Sequence, residues 1–366
     1  MATLGPNDLK QWALPAGWDA ARLAQLTLAD DTTYETLINS IAAGLAIANG
    51  GLLTDPIVSS LVSVTDQMAL EYPTGVSNGF ETHTEYSQPT AKRGATTGGM
   101  LEPVDLDRKL SWTFDFLRKA RRSQVDADIA SALADLRDVW QRTILQRLFK
   151  STYTAVGAAG KSLPVADGGT ADSAYIPPNR PDRAAAFAST HTHLLRLNGI
   201  TQANLETAIA HLWEHGYDGP YDLLVAQADM ASWSNTTNVT GWIKRADGLI
   251  RYGNQTDLAT VGDQYIAVIE TSTYGPVRVR ASARIPTAYW TVYKSYGALD
   301  SRNVIKVAPS MTWGLGSVLM AGANIQQFPL ENAILRFEFY HGVADRVAAA
   351  LVENDTTGSY ATPTIL

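Results

Sequence analysis

A chain of 366 residues with 36 acidic and 29 basic side chains has a formal charge of −7. That balance argues against a main surface built to grip nucleic acid, because such surfaces cluster Lys and Arg. Cysteine is absent, which excludes disulfides, thiolate nucleophiles and thiolate metal sites, and neither an apolar run long enough to span a membrane nor a signal-peptide start is read in the sequence.

Residues 1–76 read as an N-terminal extension of short helices. Tyr34, Leu37, Ile38, Ile41 and Leu45 fall on one helical face after an Asp30-Asp31-Thr32 start signal, with Asn49-Gly50-Gly51 as the expected stop. From Phe80 the chain alternates: Phe80, Thr82, Thr84 and Tyr86 lie on one face of a predicted strand that Pro89 ends. After a loop over 90–99, Leu110, Trp112, Phe114 and Phe116 alternate with Lys109, Ser111, Thr113 and Asp115, which predicts a returning strand. The two would form a ribbon on the order of 30 Å long. An isolated two-stranded ribbon is marginal in water, so this one needs a surface to lie on.

The basic cluster Arg118, Lys119, Arg121 and Arg122 leads to Ser123, the expected N-cap of a helix over 123–149, with Asp126 and Asp128 complementing its dipole. Val125, Ile129, Leu133, Leu136, Trp140 and Ile144 follow at helical spacing and form its core face. At 1.5 Å per residue such a helix is about 40 Å long. An ordinary buried helix of an α/β enzyme has the same periodicity; the ribbon ahead of it is what favours a reach toward a neighbouring molecule.

The span 151–190 is rich in Gly, Ala, Pro and Asp and reads as a long loop with at most one short strand. Beyond it, Thr201 caps a helix carrying Leu205, Ala208, Ile209 and Leu212 that stops at Gly216, and Tyr221 to Ala226 is a short buried strand. Further strands are expected at Gln264–Thr271, Val277–Arg284, Trp290–Tyr293 and Ala333–Tyr340, then an apolar segment at Val343–Val352 and a polar tail.

Two segments imitate catalytic motifs. His211-Leu-Trp-Glu214-His215 matches the H-x-x-E-H pattern of inverted zinc peptidases, in which histidines four apart hold zinc while the Glu positions a water. Four of the six histidines, His191, His193, His211 and His215, fall within 25 residues. However, His215 directly precedes Gly216, on a fraying turn, and no third ligand from a downstream helix is evident. Surface or capping histidines are therefore the default, and no metal, cofactor or catalytic residue is assigned. Ala155 to Ser162 imitates a phosphate-binding loop, but Ala155 replaces its first Gly, and Pro164 and Gly168-Gly169 stand where a helix must open.

The order of arm, ribbon, long helix, compact α+β region and the final Phe337-to-Ala348 strand segment resembles tailed-bacteriophage major capsid proteins of the Hong Kong 97 type. The resemblance covers nearly the whole chain, through architecture rather than specific motifs. It implies an α+β fold with an N-terminal arm over 1–76, an extended two-stranded loop over 77–118, a peripheral domain over 119–190 and 331–366 that holds the spine helix 123–149, and an axial domain over 191–330. It further implies a non-enzymatic protein that self-assembles into pentamers and hexamers of an icosahedral shell around double-stranded DNA. Expected partners are other copies of the chain, a separate scaffolding protein, a portal, a decoration protein and DNA bound non-specifically, with no membrane. The expected location is the virion capsid, assembled in the host bacterial cytoplasm.

On this resemblance Tyr86, Lys92, Arg93, Trp112, Phe114 and Phe116 would meet an adjacent subunit, with Lys92 matching by position the lysine that some members cross-link covalently. Arg118, Lys119, Arg121 and Arg122 would pair with a neighbour or face DNA. Alternatives are an encapsulin-like nanocompartment shell, a zinc-dependent hydrolase using His211, Glu214 and His215, and a carbohydrate binder using its nine Trp residues.

Overall fold

The computed structural model describes residues 27–75, 94–110, 112–158, 160–180, 182, 185–244, 265–320 and 333–365. The first helix among the described residues is α1 (Tyr34–Leu52), where the Thr33 hydroxyl accepts the Thr36 amide at 3.3 Å. This helix runs through the expected stop at Asn49-Gly50-Gly51. The Asn49 amide is committed elsewhere, donating to the Ser317 carbonyl at 3.0 Å and accepting the Ser317 amide at 2.9 Å, so it does not turn the backbone. Next comes α2 (Pro56–Leu61), with Pro56 at its start and the Asp55 carboxylate accepting the Ile57 and Val58 amides.

The chain continues with β1 (Val62–Val64), β2 (Ala69–Thr74), β3 (Ala95–Met100), β4 (Glu102–Leu110), α3 (Phe114–Lys119) and α4 (Arg122–Phe149). Short strands β5 (Thr154–Val156) and β6 (Gly160–Ser162) precede β7 (Leu194–Arg196), α5 (Gln202–Trp213), β8 (Tyr221–Ala226) and α6 (Met230–Trp233). The remainder is β9 (Trp242–Lys244), β10 (Ala267–Thr271), β11 (Gly275–Ser282), β12 (Tyr289–Tyr293), β13 (Ile305–Pro309), β14 (Ser317–Met320), β15 (Ala333–Val343) and β16 (Ala349–Glu353). Among the described residues no helix is long and apolar enough to cross a membrane.

Two compact units divide the chain. The first comprises Met1–Thr54, Pro103–Gln141 and Pro309–Tyr340. Its core joins Leu37, Ile41 and Leu45 of α1 to Leu117 of α3, to Val125, Ile129 and Ala132 of α4 and to Leu335 of β15. In the same unit β14 pairs antiparallel with β15 from Ser317↔Phe337 to Met320↔Ile334, and β4 pairs with β15. The expected Ser123 cap is corrected here, because Ser123 lies inside α4. The Asp30 carboxylate, from 92 positions earlier, accepts the Arg122 amide at 2.8 Å, while the Gln124 side chain accepts the Arg121 amide at 3.0 Å.

The second unit comprises Asp55–Glu102, Arg142–Ala308 and His341–Leu366. Its main feature is a seven-stranded sheet in the order β7-β16-β12-β8-β11-β10-β9. The middle strand β8 is buried along its whole length, pairing parallel with β11 and antiparallel with β12. The apolar run Leu223 to Ala226 is what a strand covered on both faces requires, with Asp222 the buried exception. Leu205, Ala208, Ile209 and Leu212 of α5 pack on this sheet, capped by the Thr201 hydroxyl accepting the Asn204 amide at 3.2 Å. The helix ends before Gly216, whose φ of +90° is the left-handed conformation that glycine adopts at little cost.

Two sequence expectations fail in this unit: the loop over 90–99, and the limit of one short strand over 151–190. Ala95–Met100, expected in a loop, is a strand paired antiparallel with β2 from Ala69↔Met100 to Thr74↔Ala95. The phosphate-loop imitation at Ala155 to Ser162 spans a β5–β6 hairpin, with Gly157 at φ +61° and no helix to present amides to a phosphate.

Candidate functional site

The junction between β4 and α4 holds several residues expected to meet a neighbour, and its geometry corrects the returning strand. Strand β4 ends at Leu110, and the Thr113 hydroxyl accepts the Phe116 amide at 3.1 Å, starting a helix where alternation predicted extended chain. The aromatic spacing 112, 114, 116 fits period two. The buried positions Leu117, Ala120 and Val125 fit a helical turn and its successor, and the cap together with this core decides between them.

Trp112 is 3% exposed, packed in its own unit's core, and its Nε1–H donates to Asp128 Oδ2 of α4 at 3.0 Å. The expectation that its indole meets another subunit is therefore corrected. An indole buried with its one donor satisfied contributes to its own chain's core. Phe116 differs, being 39% exposed. Phe114 is the first residue of α3. Tyr86, Lys92 and Arg93, and the whole predicted strand from Phe80, lie outside the described residues.

The basic cluster follows directly. Arg118 and Lys119 form the last turn of α3, where cations complement the helix dipole, and both side chains are exposed, as is Arg121. Arg122 Nε lies 3.2 Å from Asp126 Oδ2, an exposed pair one turn apart on α4.

Along α4, Val125, Ile129, Leu136 and Trp140 are buried and Leu133 is half-buried against the same core. Trp140 donates from Nε1 to the Leu52 carbonyl at 2.9 Å. Its ring meets Phe339 at 4.8 Å and Phe337 at 5.8 Å between centroids.

The second unit carries charge in its interior. Arg346 is buried, donating from Nε to the Pro164 carbonyl at 2.9 Å and from Nη2 to Asp167 Oδ1 at 3.0 Å, with its guanidinium 4.2 Å from the Tyr175 ring centroid. Asp167 Oδ2 accepts the Ala171 amide at 2.8 Å, so both carboxylate oxygens are engaged. Asp222 of β8, also buried, accepts from Arg278 Nη2 at 2.8 Å and lies 3.5 Å from Arg280 Nε. Burial pushes its carboxyl above the usual range, while Arg280 and Arg278 pull it back. Arg147 of α4 is likewise buried, with Nη1 3.3 Å from Glu102 Oε2. The sequence reading missed all three networks, because an arginine reads as solvated until tertiary packing brings a carboxylate to it.

The chemically densest feature is a histidine cluster in the same unit. His191 and His193 come from the segment before β7; His211, Glu214 and His215 come from the last turn of α5 and just beyond it. Glu214 Oε1 lies 3.1 Å from His191 Nε2 and 3.4 Å from His211 Nδ1. His193 is fully buried, and its Nδ1 lies 2.9 Å from the Ala349 carbonyl oxygen. A carbonyl only accepts, so Nδ1 carries the proton and Nε2 is a bare lone pair. That Nε2 is buried without a hydrogen-bond partner. Burial first, and then the neighbouring histidines, hold His193 well below the usual imidazole range. Burial likewise brings His215 down to about 4. One ligand atom from each of His191, His193, His211 and Glu214 lies within 4.8 Å of all the others.

No protein-family model matches the chain, and no curated protein matches it in sequence. Among solved structures it is similar to one from Mycobacterium phage Patience, at 22% identity and a TM-score of 0.64, with 94% of each chain covered. It is also similar, at TM-scores of 0.46 and 0.45, to the capsid of Ralstonia phage GP4 (10% identity, 82% of this chain and 92% of that one) and to the SrpI encapsulin from Synechococcus elongatus (12% identity, 84% and 89%). The fold is that of the Hong Kong 97-type phage capsid proteins.

On this capsid fold the hydrolase alternative is corrected. It needs His211 and His215 as the ligand pair and Glu214 free to position a water. Instead, His215 Nδ1 donates to the Pro178 carbonyl, its Nε2 lies 3.1 Å from His191 Nε2, and the Glu214 carboxylate is engaged between His191 Nε2 and His211 Nδ1 rather than free to hold a water. His191 and His193, which complete the cluster, had left a signal in the sequence: four of six histidines within 25 residues.

Proposed function

We propose that this chain is the major capsid protein of a tailed bacteriophage and that copies of it assemble into pentamers and hexamers of an icosahedral shell around double-stranded DNA. The observation that carries the reading is a fold shared over 94% of the chain with a solved structure from Mycobacterium phage Patience. Helix α4 is the spine, the region 191–330 with most of the seven-stranded sheet is the axial domain, and 119–190 with 331–366 is the peripheral domain. The extended loop over 77–118 reaches the adjacent subunit through Tyr86, Lys92, Arg93 and the exposed ring of Phe116. Trp112 serves indirectly, by fixing α3 to the core beneath that ring.

Arg118, Lys119, Arg121 and Arg122 meet a neighbour's acidic groups or the packaged DNA, a local and non-specific contact that a chain of net charge −7 tolerates. The role is structural rather than enzymatic. Its setting is the virion capsid, assembled in the host cytoplasm with a separate scaffolding protein, a portal and a decoration protein.

Size-exclusion chromatography with light scattering on the full chain tests the reading, and nuclease protection then identifies the contents. Early-eluting particles that protect DNA when made alongside packaging functions support a phage shell. Particles that hold a cargo enzyme instead move the assignment to a nanocompartment.

A further inference from the structure

The histidine cluster has no part in the shell reading, and the chemistry of its donors points to a ligand. We propose that His191, His193, His211 and Glu214 bind a divalent transition-metal ion of the zinc class, which pins the segment before β7 to the C-terminal turn of α5. Three imidazoles and one carboxylate make an N₃O donor set, which suits zinc and its neighbours rather than the hard, oxygen-seeking Mg²⁺ or Ca²⁺.

The distances fit. A tetrahedral ion with bonds of about 2.1 Å sets its donor atoms about 3.4 Å apart. The His191–Glu214 and His211–Glu214 separations, 3.1 and 3.4 Å, already match, and no donor of the set is further than 4.8 Å from another. Rotations of the side chains by about an ångström close the remainder.

Two independent features point to an ion at this place. The first is His193 Nε2, a fully buried lone pair with no hydrogen-bond partner. Such an atom is costly unless something fills it, and here Nδ1–H to the Ala349 carbonyl is the outer contact that orients a metal-bound imidazole. The second is the 3.1 Å approach of His191 Nε2 to His215 Nε2. With its Nδ1–H given to the Pro178 carbonyl, His215 presents a bare Nε2, so the two nitrogens are reconciled only by a proton or a cation between them. A proton on His191 Nε2 satisfies that pair but leaves His193 Nε2 unfilled, and an ion among the four donors is what fills it. The Phe187 ring, 4.4 Å from the His191 ring, shelters one side, and the carbonyl-rich end of α5 favours positive charge. Four protein donors and no open position make a structural site rather than a catalytic one.

The test uses full-length protein, stripped with chelator, dialysed and titrated calorimetrically with ZnCl₂, with bound metal counted by mass spectrometry. One zinc per chain is expected, with a raised unfolding temperature that chelator reverses. His211→Ala and Glu214→Gln, both at partly exposed positions, weaken binding by more than the roughly 10–100-fold that loss of an outer partner alone costs. Glu206→Gln, on the same helix but outside the cluster, leaves binding unchanged. Absence of zinc from folded wild-type protein, or equal binding by wild type and both ligand variants, overturns the proposal. Electron microscopy of the same samples keeps the two readings apart, since a metal-free shell refutes only this one.

Discussion

The two units solve the problem of a stable interior differently. Among the described residues, the first unit buries no charged side chain at all: its buried polar groups are Ser310 and Ser317. The second buries Arg147, Asp167, Asp222, Arg280, Lys294, Arg346 and Glu353, together with His193 and His341. An apolar core is stabilised roughly in proportion to area and tolerates repacking. A buried charge network depends on complete pairing and fails when one member is removed. The first unit should therefore lose stability through cavities, and the second through orphaned charges and acid.

The sharpest way to break this comparison is Arg346→Met. It leaves the Asp167 carboxylate buried without its cation and should cost about 3–5 kcal/mol in denaturant unfolding, most of it recovered in the double variant with Asp167→Asn. An effect below about 1 kcal/mol would mean that the network is better solvated than its geometry shows. In the first unit the counterpart is Leu117→Ala, at a fully buried position of α3, expected to cost about 2–5 kcal/mol through transfer and cavity terms. No compensating polar substitution should rescue it.

Acid sharpens the contrast. His341, buried beside Arg147 and Lys150, is brought down to about 3, by burial first and then by those two cations. Unfolded, it binds a proton near pH 6.5, so its contribution is complete above that value and is lost as pH falls toward 3. Stability should drop by up to about 1.4 kcal/mol per pH unit from this group, and His341→Gln should flatten the profile. Unchanged pH dependence in that variant would assign the acid sensitivity elsewhere. The smallest effect expected is Thr201→Ala, about 1 kcal/mol, from the lost cap on the Asn204 amide.

The sequence was most legible where local and tertiary forces agree. The cap at Thr201, the apolar face of α5, the stop at Gly216 and strand β8 were all read from residue pattern, and the long helix was placed within one residue of its observed start. Legibility failed where a distant partner decides. Asn49 reads as a turn residue until Ser317 claims its amide, and Ser123 reads as a cap until Asp30 supplies one. Trp112 and Phe116 read as strand until Thr113 caps a helix over a core that includes Leu45 and Val125. The histidines were visible as a crowd, but not as a set of convergent donors, because His191 and His193 reach α5 only through tertiary packing.

The central claim is that this fold builds a closed shell from copies of itself. Electron microscopy with class averaging of the purified full-length chain, with scaffolding protein supplied where needed, tests it most directly. The account predicts shells or rings with five-fold and six-fold symmetry. A folded species that remains a single chain at every concentration, with or without scaffold, would contradict it.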